Sequence, residues 1–168
     1  MKKIEMKNAY DMYSYASEYE VSRFLLWTPH VNLDETKGLI EYLVRQYKRG
    51  SCFDWGLNLK ESGEFVGTCG FASVDMKNNK AEIGYVLSHR YRGKGYMTEA
   101  VNEVLRVAFI LLGLNRVEAR IMEGNQASIR FAAAKGFRHE GTAINSLLVK
   151  GEYKTIHQYA MLSRDYFK

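Results

Sequence analysis

Hydrophobic positions change period several times along this chain, and the changes mark its elements. Lys2 to Met6 is long enough for only a stub of strand, so weak order and a poorly covered sheet edge are expected over residues 1 to 8. Asn8 to Glu18 and Glu20 to Trp27 read as short Tyr-rich helical pieces, ended where Pro29 pushes Thr28 out of the helical region. Asn32-Leu33-Asp34-Glu35 offers a cap and an acidic first turn, and Ile40, Leu43, Val44 and Tyr47 recur at helical spacing until Gly50. The period then falls to two. Phe53, Trp55, Leu57 and Leu59 alternate with Asp54, Gly56, Asn58 and Lys60, Glu61-Ser62-Gly63-Glu64 supplies a turn, and Phe65 to Val74 makes an antiparallel partner.

After a second turn at Lys77-Asn78-Asn79-Lys80, Ala81 to Leu87 reads as a third strand. Met97, Val101, Val104, Ala108 and Leu111 mark one face of a long helix ending near Gly113, and Val117, Ala119 and Ile121 alternate as a strand. Asn125 opens a short helix that stops at Lys135-Gly136, a glycine suited to the left-handed position after a helix. Two strands close the chain, approximately Ala143 to Val149 and Tyr153 to Leu162. The order predicts a mixed α/β sheet with helices packed on its faces. With 168 residues, one proline and no flexible tether, one domain over residues 1–168 is expected.

Composition narrows the function. Apolar residues at 46% and charged residues at 26% exclude wholesale disorder and a fibrous repeat. The longest apolar run, Val107 to Leu114, is far shorter than the ~20 residues that span a bilayer, so no membrane partner is expected. The basic start lacks the apolar stretch of a secretory signal, which makes the cytoplasm the expected location. Cys52 and Cys69 are too few for a disulfide framework and read as reduced core residues, and no cluster supports a metal. A formal net charge of +5 favours anionic ligands. The cations form no extended stripe, so no nucleic-acid partner is expected.

The chemistry concentrates between Glu82 and Ala100, which reads as strand, basic glycine loop, helix. Glycines let a backbone approach an anion, and the amides of a helix N-terminus donate to phosphate oxygens. There is no G-x-x-x-x-G-K-[ST], and Thr98 stands where a dinucleotide fingerprint needs its third glycine.

This stretch resembles the coenzyme A loop of the GNAT superfamily of acyltransferases, whose pattern of Arg or Gln, two residues, Gly, one residue, then Gly or Ala falls on Arg92, Gly95 and Met97. Met97 departs from the small residue of that pattern. Ala81-Glu82-Ile83-Gly84-Tyr85, Thr98-Glu99-Ala100, Asn125-Gln126-Ala127-Ser128, Lys135-Gly136-Phe137, Glu140-Gly141 and Gly151-Glu152-Tyr153 follow in the order and spacing of the RimJ/RimL-type branch, and Trp27-Thr28-Pro29-His30 is similar to a segment of it. Ile144 and Thr155 replace an Arg and an Asp that the branch often carries on its acceptor side.

The resemblance implies a GNAT fold: a mixed, mostly antiparallel central sheet with helices on both faces. It also implies acetyl-CoA as co-substrate and an amine acceptor, foremost the N-terminus of a protein or peptide; a homodimer is compatible with it. Backbone groups of Tyr85, Val86 and Leu87 would hold pantetheine, and Arg92, Gly93, Lys94, Gly95, Tyr96 and Met97 the pyrophosphate. Asn125 is a coenzyme A contact or an ordinary helix cap. Glu82 is the candidate base, acting through water, and Ser128 the candidate acid for the departing thiolate, Ala132 standing where many members of the superfamily place a Tyr. A small-molecule amine or antibiotic acetyltransferase, and a coenzyme A-binding regulator without activity, remain the alternatives. His30 and His157 read as structural or surface residues, and Tyr13, Tyr15, Tyr19, Phe24 and Trp27 as core before acceptor groove.

Overall fold

In the computed structural model, which describes all 168 residues, the chain runs α1 (Ala9–Ala16), α2 (Tyr19–Ser22), α3 (Leu33–Lys48), β1 (Phe53–Asn58), β2 (Phe65–Asp75), β3 (Lys80–Leu87), α4 (Tyr96–Arg106), β4 (Arg116–Met122), α5 (Gln126–Ala134), β5 (Arg138–Val149), β6 (Glu152–Leu162) and α6 (Ser163–Tyr166). The strands form one six-stranded sheet in the order β1-β2-β3-β4-β6-β5. It is mixed: β3 and β4 are parallel, while β1 with β2, β4 with β6 and β5 with β6 are antiparallel. This is the α/β architecture the periodicity predicts. Chain packing divides the residues into two units, Met1–Phe71 with Gly84–Val104, and Ala72–Ile83 with Leu105–Lys168.

The first unit is organised by α1 and α3. Ile4, Ala9, Met12, Tyr15, Ala16, Val21, Ile40 and Phe65 form its buried cluster. Helix α3 begins where its cap predicts: Asn32 Oδ1 accepts the Glu35 N–H at 3.0 Å, and the Glu35 carboxylate accepts the Val31 N–H at 2.8 Å. The stub at the start of the chain is a single bridge, with Lys2 and Gly56 exchanging hydrogen bonds of 3.0 and 2.8 Å. Its surroundings differ from the weakly held edge expected. Ile4 is 1% exposed, its N–H donates to the Tyr47 hydroxyl at 3.2 Å, and that hydroxyl donates to the Asp54 carbonyl at 2.6 Å.

The helix expected over Glu20–Trp27 stops at Ser22. The His30 N–H donates to the Ala16 carbonyl at 3.0 Å, which turns the chain back, and Leu25 and Trp27 pack against the buried cluster from turn conformation. Strand β1 also departs from simple alternation. A Cβ on Gly56 would lie 2.4 Å from the Phe65 ring, so the half of the alternation that looked solvent-facing is covered.

In the second unit β4 and β6 stay in register from Arg116↔Leu162 to Met122↔Ile156. Strand β5 begins at Arg138 rather than Ala143 because backbone pairing, Arg138↔Ala160 and His139↔Tyr159, extends it through polar residues. Helix α5 ends as its glycine predicts. Gly136 has φ +87°, its N–H donates to the Ala133 carbonyl, and the Phe137 N–H donates to the Ala132 carbonyl, both at 3.0 Å. After Arg106 the helix that began as α4 widens over Val107–Leu111, where the Leu112 N–H reaches back to the Val107 carbonyl.

Candidate functional site

Strand β3 delivers the basic loop within the first unit. Ser88 is buried, and its N–H donates to the Val66 carbonyl at 2.9 Å. Beside it β2 approaches closely: a Cβ on Gly67 would lie 2.3 Å from the Val86 carbonyl oxygen. A short turn over His89–Tyr91 follows, then exposed Arg92, Gly93, Lys94 and Gly95. Gly93 and Gly95 have φ of +75° and +83°, and a Cβ at either would meet no protein atom within 4 Å. Both glycines therefore answer a conformational need and leave open space in front of the backbone.

The Glu99 N–H donates to the Gly95 carbonyl at 3.1 Å as α4 begins, so the amides of Tyr96, Met97 and Thr98 precede any intrahelical acceptor. Lys94 Nζ sits 5.0 Å from the Tyr91 ring centre, and the Tyr91 and Tyr96 rings are 6.3 Å apart. Cations, positive-φ glycines and a helix start coincide here, an arrangement suited to a phosphate-bearing ligand. A cavity of about 520 Å³ lies at this loop, lined by Glu18, Tyr19, Glu20, His89 and Arg92. The Glu18 carboxylate is hydrogen-bonded to His89 Nδ1, which ties the segment after α1 to the turn ahead of the glycines. Tyr85, Val86 and Leu87 occupy the last residues of β3 and are partly buried.

The other candidates belong to the second unit. Glu82 on β3 is in register with Glu118 on β4, an arrangement of like charges that repels unless cations intervene. Each carboxylate has its own. Glu118 takes Arg116 Nε at 2.7 Å and Lys80 Nζ at 3.4 Å, and Arg116 also holds Glu140 through both terminal nitrogens. Glu82 Oε1 accepts from Arg120 Nε at 2.9 Å. Burial pushes the Glu118 carboxyl up, but Arg116 and Lys80 together bring it below the ordinary value, and Arg116 lowers Glu140 likewise. Asn125 caps α5, its Oδ1 accepting the Ser128 N–H at 3.2 Å, and both residues are partly buried.

Among the remaining titratable and aromatic candidates, His30 is structural: its Nδ1 is 2.7 Å from the Thr36 hydroxyl, and burial holds the imidazole below its ordinary pKa against the opposing pull of Glu35. His157 shares the Thr142 hydroxyl with His139, at 3.0 and 3.3 Å. Tyr15 belongs to the buried cluster, Tyr19 lines the cavity, and the Trp27 ring lies 5.2 Å from His30. The thiols of Cys52 and Cys69 are free, the first partly buried and the second buried. No group of three or more His, Cys, Asp or Glu side chains is gathered as a metal site needs, and no helix is long and apolar enough to cross a membrane.

Sequence reasoning missed Arg120, Glu18, His89 and the partly buried carboxylate of Asp54. Arg120 alone left a trace, being the polar member of the alternation Val117, Ala119, Ile121 that sits two residues beyond Glu118.

Comparison with known proteins agrees with the architecture. The acetyltransferase (GNAT) domain family matches residues 2–138. An uncharacterized N-acetyltransferase, p20, of Bacillus licheniformis is 31% identical over 166 residues, covering 99% of this chain and 93% of its own. The ribosomal protein uS5-alanine N-acetyltransferase of Escherichia coli is 31% identical over 109 residues, 64% of this chain and 56% of its own. The crystal structure of a GNAT-family acetyltransferase from Bacillus anthracis superposes with a TM-score of 0.84 at 23% identity, covering 97% of this chain and 93% of the other.

Proposed function

The chain belongs to the GNAT acetyltransferase family, an acetyl-CoA-dependent N-acetyltransferase, and from that premise we propose that its acceptor is the N-terminal α-amine of a protein, in the cytoplasm. The observation that carries the coenzyme A part of the reading is the loop geometry: Gly93 and Gly95 at positive φ, flanked by Arg92 and Lys94, immediately before the first turn of α4. The amides of Tyr96 and Met97 and the Arg92 side chain hold the pyrophosphate in this reading, and the backbone of Tyr85, Val86 and Leu87 pairs with pantetheine as an added strand would. The Met97 side chain does not obstruct this, because the donor is its amide. The uS5-alanine N-acetyltransferase among the relatives supports a protein α-amine.

In the reaction proposed, an α-ammonium loses one proton through water to Glu82. The neutral nitrogen attacks the thioester carbonyl, the C–N bond forms and the C–S bond breaks. The coenzyme A thiolate takes a proton from Ser128, which is restored from the proton the new amide nitrogen sheds. Glu82 returns its proton to solvent, so the balance is amide, free thiol and one released proton. An α-amine, with an ordinary pKa of ~8, needs a weaker base than a lysine side chain at ~10.4.

Free thiol measured with acetyl-CoA and a panel of acceptors tests the reading. Peptides with free N-termini are expected to release thiol, while N-blocked peptides containing lysine and small polyamines release little. Release with small amines alone would overturn the protein acceptor, and release with none would overturn the transfer reading. Within an active enzyme, Ser128→Ala is expected to lower kcat about tenfold with coenzyme A affinity intact. An unchanged kcat would leave Ser128 as a residue of the α5 cap only.

A further inference from the structure

We propose that Arg120 is a positioning residue for Glu82, gripping one carboxylate oxygen so that the other is presented to the water that relays the proton from the acceptor amine. The proposal rests on the reading of Glu82 as base, and its geometry stands independently of that reading. In a parallel pair with Glu82 opposite Glu118, the Glu82 carboxylate has two cation-bearing directions along the strand. Lys80 and Arg116 are both spent on Glu118, and Arg116 is further committed to Glu140. Arg120, two residues past Glu118 on β4, is the cation that takes Glu82, and it draws the carboxylate toward the C-terminal end of that strand.

The contact is made by Nε at 2.9 Å to Oε1. Arg120 is half exposed, with its side chain at 52%, whereas the Glu82 side chain is at 19%. The pair thus has a sheltered carboxylate and a solvated guanidinium, and the stiffness of the guanidinium plane fixes the carboxylate rotamer in a way a lysine ammonium does not. Ion pairs with a solvated partner contribute little to stability, so fold stability is a weak reason for this one. Orientation of a proton acceptor is a stronger one, because misplacing a reacting group by about 1 Å costs on the order of a hundredfold in rate.

Around the pair, Lys80 on β3, Arg116 and Glu118 on β4 and Glu140 on β5 are engaged with one another as described, Asp75 at the end of β2 lies near Lys80, Arg138 on β5 is paired with Asp165, and β6 contributes the neutral Gln158, the register partner of Arg120. Removal of Arg120 therefore takes away the cation in contact with Glu82 without freeing another.

The test uses the full chain as parent, Arg120→Ala, Arg120→Lys, Glu82→Gln and the double variant Glu82→Gln with Arg120→Ala. With a peptide acceptor, Arg120→Ala is expected to lower kcat about tenfold and leave the KM for acetyl-CoA unchanged, and Arg120→Lys to restore only part of kcat. In the Glu82→Gln background, removing Arg120 changes nothing further, because its effect runs through the carboxylate. A readout free of catalysis accompanies these: at fixed pH the carboxyl-carbon magnetic resonance signal of Glu82 is expected to move in Arg120→Ala, because the hydrogen bond from Arg120 Nε is lost.

An unchanged kcat and an unchanged Glu82 signal in Arg120→Ala would overturn the proposal while leaving acetyl transfer intact. A Glu82→Gln variant as active as the parent would overturn it together with the base assignment. A parent chain that acetylates no amine would overturn the acceptor reading, and the carboxyl-carbon signal at fixed pH would still decide whether Arg120 grips Glu82.

Discussion

Gly95→Val is expected to weaken coenzyme A binding by at least a hundredfold in calorimetry. Two physical effects add. Valine is a β-branched residue placed at φ +83°, a conformation that costs about 1–3 kcal/mol for a side chain that rarely adopts it, so the loop shifts away from the geometry that aims the first amides of α4. Its Cβ also enters the space in front of the backbone, where no protein atom lies within 4 Å and where the reading places the pyrophosphate. Arg92→Ala separates the backbone from the charge: it keeps the loop shape and is expected to weaken binding about tenfold, with a shallower dependence on salt. Thermal unfolding of both variants checks that the fold survives, since neither side chain is packed in the core. Unchanged coenzyme A affinity in Gly95→Val, with the fold intact, would remove the basis for placing the ligand at this loop.

Where sequence and structure agree, the signal was local. Asn32 and Glu35, Lys135 and Gly136, and the glycines of the basic loop each act through backbone groups within a few residues, so their spelling carries their conformation. The spelling of the glycine loop was legible for the same reason, because the positive φ of Gly93 and Gly95 is a property of those residues themselves. What was not legible depends on residues distant in the chain. Strand β5 begins early because β6 pairs with polar residues, and periodicity has nothing to report there. Helix α2 stops at Ser22, and the chain beyond it is tied back to the end of α1 by the hydrogen bond from His30 to Ala16. The partners of Glu82 and of Glu18 come from segments 38 and 71 residues away, and a single sequence holds no record of such pairings. The environment of Asp54 was not legible for a related reason: alternation in β1 says that two faces differ, not that both are covered.

Asp54 carries the second large effect, on stability and its dependence on pH. Burial raises its carboxyl to about 6, against which the Trp55 N–H, at 3.1 Å, and the Thr68 hydroxyl offer only partial relief. The unfolded chain returns the group to an ordinary value near 3.8. Between those two values the folded protein binds the proton more tightly than the unfolded one, so this group makes folding less favourable as pH rises from about 4 to about 6. Above that window the full cost is present, on the order of 3 kcal/mol from the difference of roughly two pH units; below pH 4 both states are protonated and it vanishes. Carboxylates that arginines hold low, Glu118 and Glu140 among them, act in the opposite sense and at lower pH, so the parent curve alone mixes the two. The difference between parent and Asp54→Asn isolates the buried group. Urea unfolding at pH 7.5 is expected to find the variant more stable by about 2–3 kcal/mol, since the amide keeps an acceptor for Trp55 and Thr68 but carries no charge, with the gain shrinking to near zero at pH 4. A gain that is absent at pH 7.5, or equal at the two pH values, would show that the Asp54 carboxylate is solvated in the folded chain.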